Sequence, residues 1–382
     1  MQASNHRILT THVGSLPRSR AVVDVVFGRE RGTETDRHAG DATLTTAVAE
    51  IVCRQTEVGI DIVSDGELSK ISYATYIKDR LTGFGGESHR EPAQDLLDYP
   101  GVLRRRQDSG TRSEASPPRC IAAVGVKDMR PLETDLANLR RAVDQSRPTE
   151  AFMNAAAPGV VALFQPNDFY PSHEKYVEAL GEAMRAEYEG IVAAGFLLQI
   201  DSPDIGMGRH TIFRNQSDDE YLRLANLHVE VLNHSLRNID PDRVRLHVCW
   251  GNYEGPHHRD APMELVLPIA LKANARALLF ESSNPRHAHE WTVFRDTRIP
   301  DDKILVPGTI DSTTNFIEHP RLVAERICRF ADIVGRERVI AGTDCGFGTF
   351  ADHGAVDADV VFAKLGALAE GARIASDRLW AR

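Results

Sequence analysis

Cysteine is scarce in this chain of 382 residues: the five present are odd in number and widely spaced, which excludes the disulfide framework of a small secreted domain. Long apolar runs are missing as well. None approaches the roughly eighteen residues that span a bilayer, and Met1-Gln-Ala-Ser-Asn-His-Arg7 has no signal-peptide core. There is no surplus of positive charge. The formal net charge of −10 argues against a generic nucleic-acid or anionic-membrane partner. No glycine-rich phosphate fingerprint appears either. What these absences leave is a soluble, cytoplasmic protein that works on small molecules, with room for a homo-oligomer.

The chain does contain a repeated alternation of short apolar runs with helical patterns, the pattern of βα units around a parallel sheet. Eight runs read as strands: Ile8 to Val13, Ile60 to Ser64, Gly159 to Phe164, Phe196 to Ile200, Val244 to Cys249, Ala277 to Phe280, Ile304 to Pro307 and Val339 to Thr343. Between Ser172 and Gly195, the residues Val177, Leu180, Met184, Tyr188 and Ile191 recur at helical spacing, and Gly195 is placed to end that helix. Eight such units predict an α/β fold, a closed (β/α)8 TIM barrel, with an open doubly wound sheet as the alternative. Barrels exceed the usual domain length, so residues 1–382 are expected to form one catalytic domain. Residues 83–118 break the rhythm, and an excursion over about 83–130 is expected after the second strand, either as a lid or as a solvated or oligomer-contact insertion. Arg104 to Arg106 within it read as surface charge, and Cys120 to Val124 as an extra strand outside the barrel.

Chemistry concentrates at the strand ends. His247 and Cys249 in Val244-Arg-Leu-His-Val-Cys-Trp-Gly251 are two apart, so on a strand they share a face. Glu281 closes the next run and Cys345 the last, and in a parallel barrel all these ends meet at one mouth. Together they can ligate one zinc ion in an accessible site. Taken singly, each is a common structural residue: a buried Cys, a satisfied His, a capping Glu. Cys53 and Cys328, on helical stripes, read as packing residues. At the same mouth Glu67 and Asp201 are suited to an ammonium group, Ser15 with nearby amides to an anion, and Arg18 or Lys70 to supply positive charge. As structural alternatives, Asp65-Gly66 is an ordinary turn and Asp201 initiates one before Pro203.

Thr11-His-Val-Gly-Ser-Leu-Pro17, Asp65-Gly-Glu67, Gln199-Ile-Asp201, His247-Val-Cys249, Glu281 and Asp344-Cys-Gly346 resemble, in matching order, the catalytic barrel of cobalamin-independent methionine synthase. The string from His247 to His257 is closer to the short, single-barrel branch of that superfamily, which also includes epoxyalkane coenzyme M transferase. The resemblance implies zinc held by His247, Cys249, Glu281 and Cys345, and a thiol substrate whose polar end lies near Ser15, Glu67 and Asp201. Long methionine synthases carry a further N-terminal barrel that helps bind folate polyglutamate; this chain has no room for one. After the strand Val306-Pro-Gly-Thr-Ile-Asp311 the family has a His thought to donate a proton, whereas here Ser312-Thr-Thr314 follows. Asp311, His287, His257 and His319 are the candidates to replace it.

The implied mechanism is alkyl transfer to sulfur. A free thiol, with pKa about 8.5, is mostly protonated at neutral pH, and zinc deprotonates it. The thiolate then attacks a methyl carbon or an epoxide carbon while an acid protonates the leaving group, and Glu281 is expected to leave zinc as the thiol arrives. The partners expected are a small thiol and an alkyl donor. The other readings are an epoxide:thiol transferase of the coenzyme M type, a zinc-independent lyase of the uroporphyrinogen decarboxylase type, and a zinc protein without turnover.

Overall fold

The computed structural model describes residues 1–88, 91–108, 117–352 and 354–381. In chain order the strands are β1 (Leu9–Thr10), β2 (Ile62–Val63), β3 (Phe84–Gly85), β4 (Arg119–Cys120), β5 (Glu150–Ala156), β6 (Leu197–Asp201), β7 (Val244–Val248), β8 (Ala277–Phe280), β9 (Ile304–Ile310) and β10 (Ile340–Thr343). The helices are α1 (Arg20–Glu30), α2 (Arg37–Glu57), α3 (Gln94–Asp98), α4 (Pro100–Asp108), α5 (Arg130–Ser146), α6 (Pro158–Phe164), α7 (His173–Ala193), α8 (Asp218–Ser235), α9 (Met263–Ala270), α10 (Trp291–Asp296), α11 (Pro320–Val334) and α12 (Ala358–Trp380). Eight parallel strands run in the order β1-β10-β9-β8-β7-β6-β5-β2, and a parallel bridge from Thr11 to Ile62 joins the two ends. That is a (β/α)8 barrel, as expected. Among the described residues no helix is long and apolar enough to cross a membrane.

Strand alternation builds the two layers of the core. Ala277, Leu279, Ile304, Val306, Leu197 and Phe152 point inward and form the barrel interior. Their neighbours Leu278, Phe280, Leu305 and Leu198 point outward into the layer beneath the helices. Phe280, Phe294 and Phe330 fill part of that layer, Phe280 stacking on Phe294 with centroids 4.2 Å apart. The helices begin where a side chain can accept from their free N–H groups: Ser172 caps α7 through Lys175 N, and Ser217 caps α8 through Glu220 N. Gly195, at φ +87°, follows the C-terminus of α7, as its sequence position predicts.

One expected strand is wrong. Gly159 to Phe164 lies in helix α6, and the barrel strand in that place is β5, Glu150–Ala156. Every residue of α6 is buried, so it has no polar face and no helical period to read, although Pro158 at its first turn was a usable signal. The polar Asn154 in the middle of β5 hid the strand. It faces the barrel interior, where its amide donates to the Val13 carbonyl and to Asp201. Cys53 also departs from expectation: it is exposed on α2, while Cys328 is half-buried against the core.

Between β2 and β5 the chain leaves the barrel. β3 and β4 pair antiparallel outside it, shorter than the expected run from Cys120 to Val124, and α3 and α4 reach across to the loop after β7. Asp95 on α3 accepts from the Tyr253 hydroxyl at 2.8 Å and from the His257 N–H at 3.0 Å. Asp98 pairs with His258 and Arg259, and the Arg106 guanidinium lies over the Tyr253 ring. Arg106 is therefore more than the surface charge expected of it. Of the polar stretch from Arg104 to Glu114, positions 109–114 lie outside the described residues.

Candidate metal centre and substrate pocket

The mouth of the barrel opens into a cavity of about 540 Å³ whose inner wall includes Ser15, Glu67, Asp201, His247, Cys249 and Cys345. His247 and Cys249 share the inward face of β7 and its extension, two residues beyond the buried Arg245. Cys345 follows β10. Gly346 beside it is held to glycine by crowding, since a Cβ there would lie 2.0 Å from Ser15 Oγ. Gly308 is constrained in the same way by Asp344 Oδ1, also at 2.0 Å. Asp344 in turn accepts from the N–H groups of Ser282, Ser283 and Asn284, which ties the loop after β8 to β10.

One ligand atom each from His247, Cys249 and Cys345 lie within 4.8 Å of one another, all buried. Cys249, as hydrogen-bond partner, and then burial hold the Cys345 thiol well above the usual thiol range, so this thiol resists losing its proton without added positive charge. His247 Nδ1 faces Asp201 Oδ1 at 3.2 Å, which puts the ring proton there. Its Nε2 is buried and, among the described residues, has no hydrogen-bond partner. An orphaned imidazole nitrogen beside two thiols fits a thiophilic divalent cation such as zinc, and a carboxylate behind the imidazole is the usual support of a metal-ligating His.

Glu281 stands apart from the trio. Its Oε1 accepts from the Trp250 N–H at 2.8 Å and its Oε2 from Asn284 at 2.6 Å. Burial raises its carboxyl to about 8, with His287 pulling it down and Cys249 pushing it up.

Among the expected substrate residues, Glu67 has the most unusual setting. It sits at φ +55°, a left-handed backbone rarely adopted by a side-chain-bearing residue. Its buried Oε2 has no hydrogen-bond partner among the described residues, and Lys70 Nζ lies 3.6 Å from it. Burial raises the carboxyl to about 7 against the pull of Lys70, with Asp201 adding to the rise. Asp201 lines the cavity too, but its oxygens are engaged by Gln199, Asn154 and His247. Asp201 thus also orients a candidate ligand, His247. Arg18 does not line the cavity: its guanidinium donates to the carbonyls of Glu67, Leu68, Lys70 and Gly348, clamping three strand-end loops together. Lys70 Nζ donates to the Asn154 carbonyl.

The candidate proton donors all lie outside the cavity lining. Asp311 accepts from Thr313 and Thr314 within its own loop. His319 caps α11. His257 and His287 bracket Asp260, whose Oδ2 lies 2.9 Å from His257 Nδ1 and 3.0 Å from His287 Nε2. The other nitrogen of His287 faces Glu290 at 2.7 Å. Burial pulls both imidazoles down, but the carboxylates outweigh it and hold His257 at about 9 and His287 at about 10. His287 also stacks on Trp250, centroids 4.3 Å apart. The sequence reading does not single out Asn154, Asn252, Tyr253, Trp250 or Asn284; the polar-aromatic string after Cys249 is the signal that points to Trp250, Asn252 and Tyr253. Asn252 bridges the Gly346 carbonyl, Thr349 and Ser312 around Cys345.

Residues 158–359 match the family model described as the catalytic domain of cobalamin-independent synthase. The methionine synthase of Sulfolobus acidocaldarius is 22% identical over 341 residues, covering 88% of this chain and 85% of that protein. An uncharacterized Bacillus subtilis protein, YxjH, is 24% identical over 93% of this chain and 91% of its own length. Among solved structures, the B12-independent methionine synthase from Shewanella sp. W3-18-1 in complex with selenomethionine superposes with TM-score 0.76 at 21% identity, covering 98% of this chain and all of that one. A Listeria monocytogenes relative, titled a putative vitamin-B12 independent methionine synthase, gives TM-score 0.66 at 19% identity over 98% of both chains.

Proposed function

We propose that this chain, which belongs to the cobalamin-independent methionine synthase catalytic-domain family, transfers an alkyl group, a methyl group in the family's manner, to the sulfur of a small amino thiol such as homocysteine. The observation that carries the reading is the buried, unpartnered His247 Nε2 next to Cys249 and Cys345 at the barrel mouth. These residues would hold zinc, with Glu281 as the exchangeable fourth ligand. Bound there, zinc supplies the positive charge that lets a substrate thiol lose its proton at neutral pH.

The remaining residues position the substrate. Asp201 fixes the His247 ring. Glu67, whose Oε2 in the cavity wall meets Lys70 at 3.6 Å without a hydrogen bond, takes the ammonium group of the thiol, and Ser15 with its neighbouring amides takes the carboxylate. The sulfonate of a coenzyme M type thiol is disfavoured, because Glu67 and Asp201 face it and the Arg18 charge is spent on carbonyls. When Glu281 is not on the metal, Trp250 N–H and Asn284 hold its carboxylate.

Elemental analysis of purified protein tests this directly. About one zinc per chain is expected, lost in Cys249→Ser and Cys345→Ser together with alkylation of homocysteine followed by mass spectrometry, while the exposed Cys53→Ser keeps both. Stoichiometric zinc in the doubly substituted protein would overturn the ligand assignment. An active enzyme without zinc would favour the lyase reading.

A further inference from the structure

The Glu281 carboxylate has two places to go. Among the described residues, the ligand atoms that come within 4.8 Å of one another belong to His247, Cys249 and Cys345, and Glu281 is not of that group. A four-coordinate metal needs its fourth ligand in the same sphere, so the carboxylate must move to complete it. Its seat in this structure is made of two N–H donors. Oε1 accepts from the backbone N–H of Trp250, the residue after Cys249, at 2.8 Å, and Oε2 accepts from Asn284 Nδ2 at 2.6 Å. Seated there, Glu281 is withdrawn from the described cavity lining, to which His247, Cys249 and Cys345 all contribute.

The neighbours of Asn284 leave its amide one orientation. Its Oδ1 accepts from the N–H groups of Arg286 and His287, both at 3.0 Å, so the oxygen faces the turn and the NH2 group faces Glu281. Asp344 fixes the same residue from the other side, its Oδ2 accepting from Asn284 N at 2.8 Å and from Nδ2 at 3.3 Å. Asp344 immediately precedes Cys345 in the chain. One donor of the seat is therefore registered against Cys249 and the other against Cys345.

We propose that Asn284 is a positioning residue that sets how Glu281 divides between the metal and this seat, and through that division how tightly the thiol binds. This rests on the thiol-alkylation reading and deepens it by naming what regulates entry of the thiol. When the substrate sulfur takes the place of the carboxylate, the hydrogen bonds from Trp250 and Asn284 offset the loss of the metal to Glu281. Weakening the seat then has two effects of opposite sign. Without thiol, Glu281 stays on the metal and zinc is held more tightly; thiol binding, which needs the carboxylate to leave, becomes weaker. A residue that only braced the loop would lower both affinities.

Asn284→Ser tests this, because its hydroxyl keeps an acceptor for the Arg286 and His287 N–H groups while the amide donor is lost to Glu281. Zinc affinity, from competition with a chelator, should rise about three- to tenfold. Homocysteine binding to the zinc-loaded protein, by calorimetry, should weaken about tenfold, the loss of one hydrogen bond to a charged group. Asn284→Asp, isosteric and with the same turn acceptor, should move both affinities in the same directions and further. In a Glu281→Ala background neither substitution should change either affinity. The thermal midpoint reports which variants fold. Zinc affinity lowered or unchanged in either folded variant, or effects that persist without Glu281, overturn the proposal. Failure of the parent reading looks different: the unsubstituted protein then holds no zinc or binds no homocysteine, whereas failure here leaves both intact and removes only the opposed response at position 284.

Discussion

Two clusters of His and acidic residues lie along the chain around Trp250, and they differ in whether they open onto the cavity. Behind the indole, Asp260 shares one oxygen between His257 and His287 and presents the other to His210 at 3.3 Å, while Glu290 takes the far side of His287. At the barrel mouth, among the described residues, His247 Nε2 and Glu67 Oε2 have no hydrogen-bond partner, though both residues are buried. Leaving a buried polar atom unmatched costs about 1–3 kcal/mol, yet unfinished pairing alone does not separate the two clusters, since Asp260 Oδ1 also lacks a hydrogen bond and only faces His210. Access does: Glu67 and His247 line the cavity, whereas Asp260, His257 and His287 do not. The first cluster holds Trp250 and the loop after β7 in place, and the second is the candidate site.

The comparison can be broken most severely at Asp260. Asp260→Asn strips the carboxylate from between two imidazoles and should destabilise the protein by about 3–5 kcal/mol in denaturant unfolding, with zinc stoichiometry retained by the folded fraction. Loss of zinc with unchanged stability would reverse the roles assigned to the two clusters. The raised His257 and His287 also give a pH signature. Their contribution is fully present below about 6.5 and is lost as pH rises through about 9 to 10, so alkaline unfolding should begin there and be flattened in Asp260→Asn.

Next in size is Asp201. Because it orients His247, Asp201→Asn should lower zinc affinity about 10- to 100-fold in competition with a chelator, whereas the same change at Glu67 should leave zinc affinity intact. Equal zinc loss in both would mean that Glu67 also serves the metal.

The smallest expected effect sharpens the substrate end. Glu67→Gln removes one charge-assisted hydrogen bond, worth about 1.5–3 kcal/mol, or roughly tenfold or more in homocysteine KM. Methionine, which has no thiol to titrate, isolates the pH dependence. With the Glu67 carboxyl at about 7, methionine binding should weaken as pH falls below 7, because the neutral acid no longer pairs with ammonium. Calorimetry over pH 5–8 should show this slope in the parent and not in Glu67→Gln.

Much of this architecture is legible in the sequence. Short apolar runs alternating with helical stripes such as that of α7 mark a barrel of βα units, and strand-end positions gather His247, Cys249 and Cys345 because parallel strands end together. The strand β5 was missed because its inward Asn154 interrupts the apolar run, and α6 was misread because total burial erases helical amphipathicity. The excursion after β2 has no period, so its return over the mouth through Asp95 and Arg106 was open between lid and solvated insertion.

What the sequence determined by itself was the class of fold and which residue types stand at its strand ends, since both follow from local periodicity and chain order. What only the tertiary structure decided was who is paired. Arg18, His257, His287 and Asp311 carry the right chemistry in the right segments, yet their polar atoms are consumed by carbonyls, carboxylates and hydroxyls. Among the described residues His247 Nε2 is left without a hydrogen bond, and Glu67 Oε2 meets only Lys70 Nζ at 3.6 Å. Hydrogen-bond satisfaction is a property of three-dimensional neighbours, so it has no signature along the chain.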